Sequence, residues 1–288
     1  MIANVIVPVF IVLVVSFLIG KVKKINLKPL IDLSVYLLVP ALVFTSILKE
    51  EFIFKDFSML FLSSLFVILG AGLITYIFFK VKKIKYRGLY LPIMFMNTGN
   101  IGFPVALYAF GQAGLTQAVL YSTVGSLVIF SLGVYIAAKK MNFIEIFKLP
   151  LIYAAVFGIL FAVFGINIPE VLFRPIDLIG QAAIPMQLII LGLSLSVVKV
   201  KCLKCAIYSS MARLGLGFVL ALLFVSIFNV SGLTRSMIIV LSTMPSALFT
   251  IILSQRYRRN ADMVASTVFV STLLALITIP IVLWFVTL

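Results

Sequence analysis

The chain contains no histidine, and that one absence removes much of enzyme chemistry. Without an imidazole there is no Ser-His triad, no zinc-protease helix and no His proton relay. Acidic side chains are scarce too, eight in 288 residues, and they fall mostly near the ends of apolar runs, which disfavours a carboxylate proton relay. Asp177 follows Pro175 and Asp262 follows Asn260, so both read as first-turn residues favoured by the helix dipole. The two cysteines, Cys202 and Cys205, form one CxxC with no second pair and no His, so they read as ordinary thiols at a membrane edge rather than metal ligands. Charged residues make up 11% of the chain, against about a quarter in soluble domains.

What is present is apolar: 64% hydrophobic residues and a mean hydropathy of +1.29. A soluble domain of this size has no interior large enough for that surface, so the chain reads as an all-α polytopic membrane protein. The net charge of +15 does not point to nucleic acid, because the 23 Lys and Arg sit in short runs between apolar blocks, which is a topogenic pattern. The amino terminus has no basic residue before its apolar run and reads as a retained first span, not a secretory signal.

A helix crossing a ~30 Å hydrocarbon core needs ~20 apolar residues. That length gives ten spans: 2–20, 28–48, 57–79, 88–111, 115–137, 150–167, 175–198, 203–229, 233–255 and 262–286. Eighteen Lys and Arg then fall in the connections after the odd-numbered spans, among them Lys21, Lys83, Lys139, Lys140, Lys199 and Arg258; four fall on the other side, Lys49, Lys55, Arg174 and Arg235. The positive side is cytoplasmic, which places both termini outside a multi-pass protein of the cell membrane.

Five spans are an odd number, so a second half repeating the first would enter the membrane inverted. The two halves match in order at an offset of about 141 to 146 residues: "YLLVPALVF" with "QAAIPMQLI", "SSLFVILGAG" with "SSMARLGLGF", "PVALY" with "PSALF". The expected domains are a first repeat, 1–138, a short cytoplasmic linker, 139–149, and an inverted repeat, 150–288. Inverted repeats with interrupted spans in matching positions mark secondary transporters, whose site lies near midplane at the repeat interface.

The interruption in span 4 is "NTGNIGFP", residues 97–104, with Pro245 at the matching depth in span 9. At 1.5 Å per residue it begins ~14 Å into the span, near mid-bilayer. Pro removes a backbone donor and Gly weakens a helix. Freed backbone groups survive in lipid only when buried in protein or facing a watery cavity. A half-helix starting after Pro104 or Pro245 would aim N–H groups and a positive dipole end at an anion, Asn97 and Asn100 would add side-chain amides, and Gly99 and Gly102 would allow close approach. Pro40 and Pro185 read as hinges or as simple packing kinks. Arg213, the one basic residue inside a span, either binds an anion, pairs with carbonyls at a broken helix, or snorkels to the cytoplasmic edge.

These segments, with "LLVPALVFTSI", "AAIPMQLIILGLSL", "ARLGLG" and "MPSA", resemble the auxin efflux carrier family of membrane transport proteins from end to end. The resemblance implies two inverted five-helix repeats whose spans 4 and 9 are unwound and cross at their prolines. It implies export of auxin in plant members and malate or malonate uptake in bacterial ones, and it admits a homodimer. The connection 138–149 is short, as in a microbial member, and the second break carries Ser242, Thr243 and Ser246 but no Asn.

The expectation is therefore a ten-span carrier of a small organic anion, with Asn97, Gly99, Asn100, Gly102, Pro104, Thr243, Pro245, Ser246 and Arg213 at the substrate. Its partners are that anion and the lipid bilayer, not nucleic acid. No enzyme activity, cofactor or metal is expected, and a coupling ion, sodium or proton, is left open. The competing reading is a non-transporting membrane sensor on the same fold, which would normally need an appended soluble domain, and no connection here exceeds about a dozen residues.

Overall fold

The computed structural model describes residues 2–51, 53–138 and 147–287. Lys139, Lys140 and most of the linker 139–149 lie outside the described residues. Among the described residues every regular element is helical, and the one β-type contact is an isolated bridge between Met96 and Ser246.

The first element, α1, spans Ile2–Val22 and buries Val9 and Leu13 on one side while exposing Ile11, Val15 and Leu18 on the other. A helix apolar on all faces belongs in lipid. Span 2 is jointed. Helix α2, Leu27–Leu33, is capped by the Asn26 side chain and passes through a π turn, Ser34–Leu38, into α3, Val39–Leu48. Pro40 falls in the first turn of α3, where its missing N–H is no loss. Span 3 is the unbroken α4, Phe54–Val81.

Span 4 departs from a plain crossing. Helix α5, Tyr90–Met94, stops at an extended Phe95, and the chain resumes through a π turn, Thr98–Gly102, into α6, Phe103–Val128. Helix α6 turns at Gly111, whose φ of 68° only glycine adopts freely, and runs on through a second π turn into α7, Val134–Ala138. Span 6 is α8, Pro150–Val163, ended by Gly165 at φ 62°. Span 7 is α9, Glu170–Gln181, followed by a turn and α10, Ala183–Ser196; Pro185 lies in the first turn of α10. Span 8 is α11, Leu203–Ile227. Span 9 divides into α12, Gly232–Ser242, and α13, Phe249–Arg256, and span 10 is α14, Ala261–Thr287.

Seven helices among the described residues are long and apolar enough to cross a membrane, against ten expected spans. The differences have local causes. The second half of span 4 and span 5 form one helical run, Thr98–Ala138. Span 6 has 14 helical residues, ~21 Å at 1.5 Å each, and span 9 is cut in the middle. Asp177 also departs from expectation, because α9 starts earlier, at Glu170, so Asp177 lies in its interior and pairs with Lys49 at the end of α3. Cys202 and Cys205, read as separate thiols, are joined as a disulfide across the first turn of α11, with Cα atoms 5.4 Å apart.

The helices pack as two groups sharing one hydrophobic core. In the first group α1 lies along α10, and α3 lies along α8 and α9. The α1–α10 contact is close because Gly192 faces the backbone of Leu13 and Phe17, where a Cβ would collide. Small residues let membrane helices approach in this way. In the second group α4, α5 and α6 pack with α11, α12 and α14. The groups meet where α6 touches α1 and α3, and where the Thr98–Gly102 turn touches α10.

Candidate functional site

The two broken spans cross at their breaks. The Asn97 N–H donates to the carbonyl of Pro245 (2.7 Å), and the Ala247 N–H donates to the carbonyl of Phe95 (2.9 Å). This antiparallel pair supplies backbone partners that lipid cannot. Ser246 locks it from one side, its Oγ donating to the carbonyl of Pro92 (2.7 Å) and its N–H to Ser271 Oγ (3.1 Å).

Asn97 also caps the half-helix that follows. Its Oδ1 accepts the Asn100 N–H (3.1 Å) and its carbonyl accepts the Gly102 N–H (3.2 Å). The half-helix therefore begins before Pro104, not after it, and Pro104 occupies the first turn of α6. Several N–H groups expected to face a ligand are taken up by the crossing itself. At the cavity side, with Oδ1 committed to the cap, Asn97 Nδ2 has no partner, although Asn97 is buried.

A cavity of about 190 Å³ lies against the crossing, between the two helix groups. Its walls include Phe95, Asn97, Gly99, Asn100, Phe130 and Phe249, and across from them Ser34, Val39, Gln187 and Ile190. Among the described residues no charged side chain lines it. Asn100 bridges the two groups, with Nδ2 donating to the carbonyl (2.7 Å) and Oε1 (2.7 Å) of Gln187 on α10. Thr98 Oγ1 donates to Ser122 Oγ (2.9 Å), which fixes the turn against α6.

The structure thus brings together Asn97, Gly99 and Asn100 at the cavity, and it places the other expected residues behind it. Gly102 packs toward Leu241, and Pro104 is buried in α6. Thr243 Oγ1 donates to Ile239 within its own chain turn (2.7 Å). Pro245 and Ser246 hold the crossing, while Ala247, Leu248 and Phe249 reach the cavity from that break. Arg213 is fully buried and donates to the carbonyls of Ile93, Met94 and Ser242, so of its three possible roles it takes the pairing with broken-helix carbonyls.

Sequence reasoning passed over Ser34 and Gln187. Gln187 was findable, as a side-chain amide two residues after Pro185 in an apolar run. Ser34 carries no such signal, yet its Oγ is the second buried, unpartnered polar atom on the cavity wall. Among the described residues no three His, Cys, Asp or Glu side chains converge to hold a metal.

A family described as membrane transport protein matches residues 135–283. A Methanocaldococcus jannaschii protein named as an uncharacterized transporter is 29% identical, over 96% of this chain and 98% of its own length. An uncharacterized transporter of Methanothermobacter thermautotrophicus is 28% identical over 87% of this chain and 85% of its own. With half the chain under the family match and transporter relatives aligned along nearly all of it, the protein belongs to the membrane transport protein family, the auxin efflux carrier family that its motifs resemble.

Proposed function

We propose that this chain is a secondary carrier that moves a small organic anion across the cell membrane by alternating access. Its ten crossings are two inverted five-span repeats, with spans 4 and 9 as the crossing pair and both termini outside. The observation that carries the reading is the unpartnered Asn97 Nδ2, a buried donor on the wall of a cavity at the crossing. A buried amide donor without an acceptor is costly, and a bound carboxylate oxygen supplies the acceptor.

The walls favour one carboxylate on an apolar body over a dicarboxylate. Their polar groups are neutral amides and hydroxyls, among them those of Asn97, Asn100, Gln187, Ser34, Ser122 and Ser126, set among Val, Ile, Leu and Phe. A cavity of about 190 Å³ has room for several waters and suits a small molecule. A second carboxylate would bring a second negative charge into a cavity where the described residues offer no cationic side chain to balance it.

The cavity also includes Ile31, Leu149 and Leu151, at the ends of spans 2 and 6 that the charge bias assigns to the cytoplasm. This conformation is therefore inward-facing. The helix group of spans 1, 2, 6 and 7 is the frame against which the crossing group moves.

The test is uptake into proteoliposomes of an apolar monocarboxylate against malate. Wild type should favour the monocarboxylate. Asn97→Ala should lose roughly 10- to 100-fold in affinity, as expected for one hydrogen bond to a charged group. Full uptake by an inserted Asn97→Ala protein would remove the site from the crossing.

A further inference from the structure

The most unusual buried group lies behind the cavity rather than in it. Arg213, on α11, is 0% exposed and belongs to none of the three ion pairs found among the described residues, Lys49–Asp177, Arg174–Glu170 and Lys201–Asp262. No Asp or Glu is buried among the described residues, so its charge meets no carboxylate inside the protein.

Its partners are carbonyls at two helix ends. Nη1 donates to Ile93 (2.9 Å) and Met94 (2.8 Å), the last residues of α5, and Nη2 donates to Ser242 (2.7 Å), the last residue of α12. These are the C-terminal ends of the two half-helices that run into the crossing. A helix C-terminus carries up to about half a negative charge, so two of them together approach the single positive charge of a guanidinium. Space for it is built in: a Cβ on Gly217, one turn along α11, would collide with Arg213 Nη2 and the Ser242 carbonyl. A second hydrogen bond braces the same point, between Tyr121 Oη and Ser242 Oγ (2.8 Å).

Unwound carbonyls and half-helix C-termini are where carriers with broken helices coordinate sodium. Sodium is held by oxygen atoms, and here three carbonyl oxygens already converge on a cation that cannot dissociate. We propose that Arg213 is the resident cation of the crossing: it holds the position and charge that a coupling sodium would supply, so the crossing forms without sodium. Emptying the position should turn it into a site for a small free cation. The inference depends on the carrier reading only where transport is measured, and the binding measurement stands apart from it.

The experiment compares thermal unfolding of purified full-length wild type, Arg213→Ala and Arg213→Met in sodium, in choline, and with guanidinium at concentrations too low to denature. Wild type should unfold at the same temperature in sodium and choline. Arg213→Ala should lose several degrees and regain at least half of that loss with guanidinium or sodium. Arg213→Met fills the space without a charge and should lose stability with no cation response. A role in packing alone predicts the opposite ranking, with Met restoring stability and no added cation doing so, and that result overturns the proposal. Sodium-specific stabilisation of wild type also overturns it, and this arm holds even when Arg213→Ala does not fold. In proteoliposomes, wild-type uptake should not change when choline replaces sodium; absence of any anion uptake would instead count against the carrier reading and leave the unfolding result standing.

Discussion

Two residues that line the cavity from different helix groups, Asn97 and Ser34, carry buried side-chain atoms without partners, Nδ2 and Oγ. Their energetics differ. Asn97 also caps the Thr98–Gly102 turn through Oδ1, so its removal costs a cap, typically about 1 kcal/mol, as well as a ligand contact. Ser34 makes no hydrogen bond through Oγ, so Ser34→Ala removes an unsatisfied group and should leave the unfolding temperature unchanged or raise it. The same substitution should weaken anion binding several-fold, since the anion loses a hydroxyl donor. Titration calorimetry and thermal unfolding on one protein preparation separate the two effects. If Ser34→Ala binds the anion as tightly as wild type, the second group is not a ligand.

At the scale of the element, the crossing is a tertiary object made from two local weaknesses. Ser246 does not itself line the cavity, yet it ties α5 to α14 through Pro92 and Ser271. Ser246→Ala leaves the buried Pro92 carbonyl without that donor and should cost about 1–3 kcal/mol. Transport at saturating substrate should fall with the amount of folded protein, while affinity stays the same. A change in affinity would mean that Ser246 acts on the ligand directly. The location of the break in span 4 was legible from the density of Gly, Asn and Pro in residues 97–104. Its exact form was not. The non-helical residues are Phe95 to Asn97, ahead of both the glycines and the proline, because pairing with Pro245 and Ala247 decides where the helix stops. Tertiary partners of this kind leave no mark in local composition. For the same reason Arg213 was recognisable as an outlier, but its acceptors, three backbone carbonyls from other helices, were not. The spans followed hydropathy, which ended span 4 at 111, where the chain turns at Gly111, but hydropathy is blind to the 14-residue length of α8.

The whole molecule has its cavity between two helix groups, joined at the crossing by Asn100 and Gln187. Under the proposed alternating access one group shifts against the other, so that link would open in each cycle while the Arg213 contacts, which stay within the crossing group, would persist. The cavity walls reach Leu151 at the start of α8, which follows the basic connection ending at Lys148. If the charge bias sets orientation, that mouth opens to the cytoplasm. A cysteine placed by Leu151→Cys, in a background where Cys202 and Cys205 are Ser, should react with a membrane-impermeant maleimide in inside-out vesicles and be protected in right-side-out ones. A transported anion should slow the labelling, both by occupying the cavity and by drawing the protein toward the opposite conformation, since a ligand shifts the equilibrium only by its differential affinity for the two states. Rapid labelling from the outside alone would reverse the assigned topology, moving both termini into the cytoplasm and making this the outward-facing form.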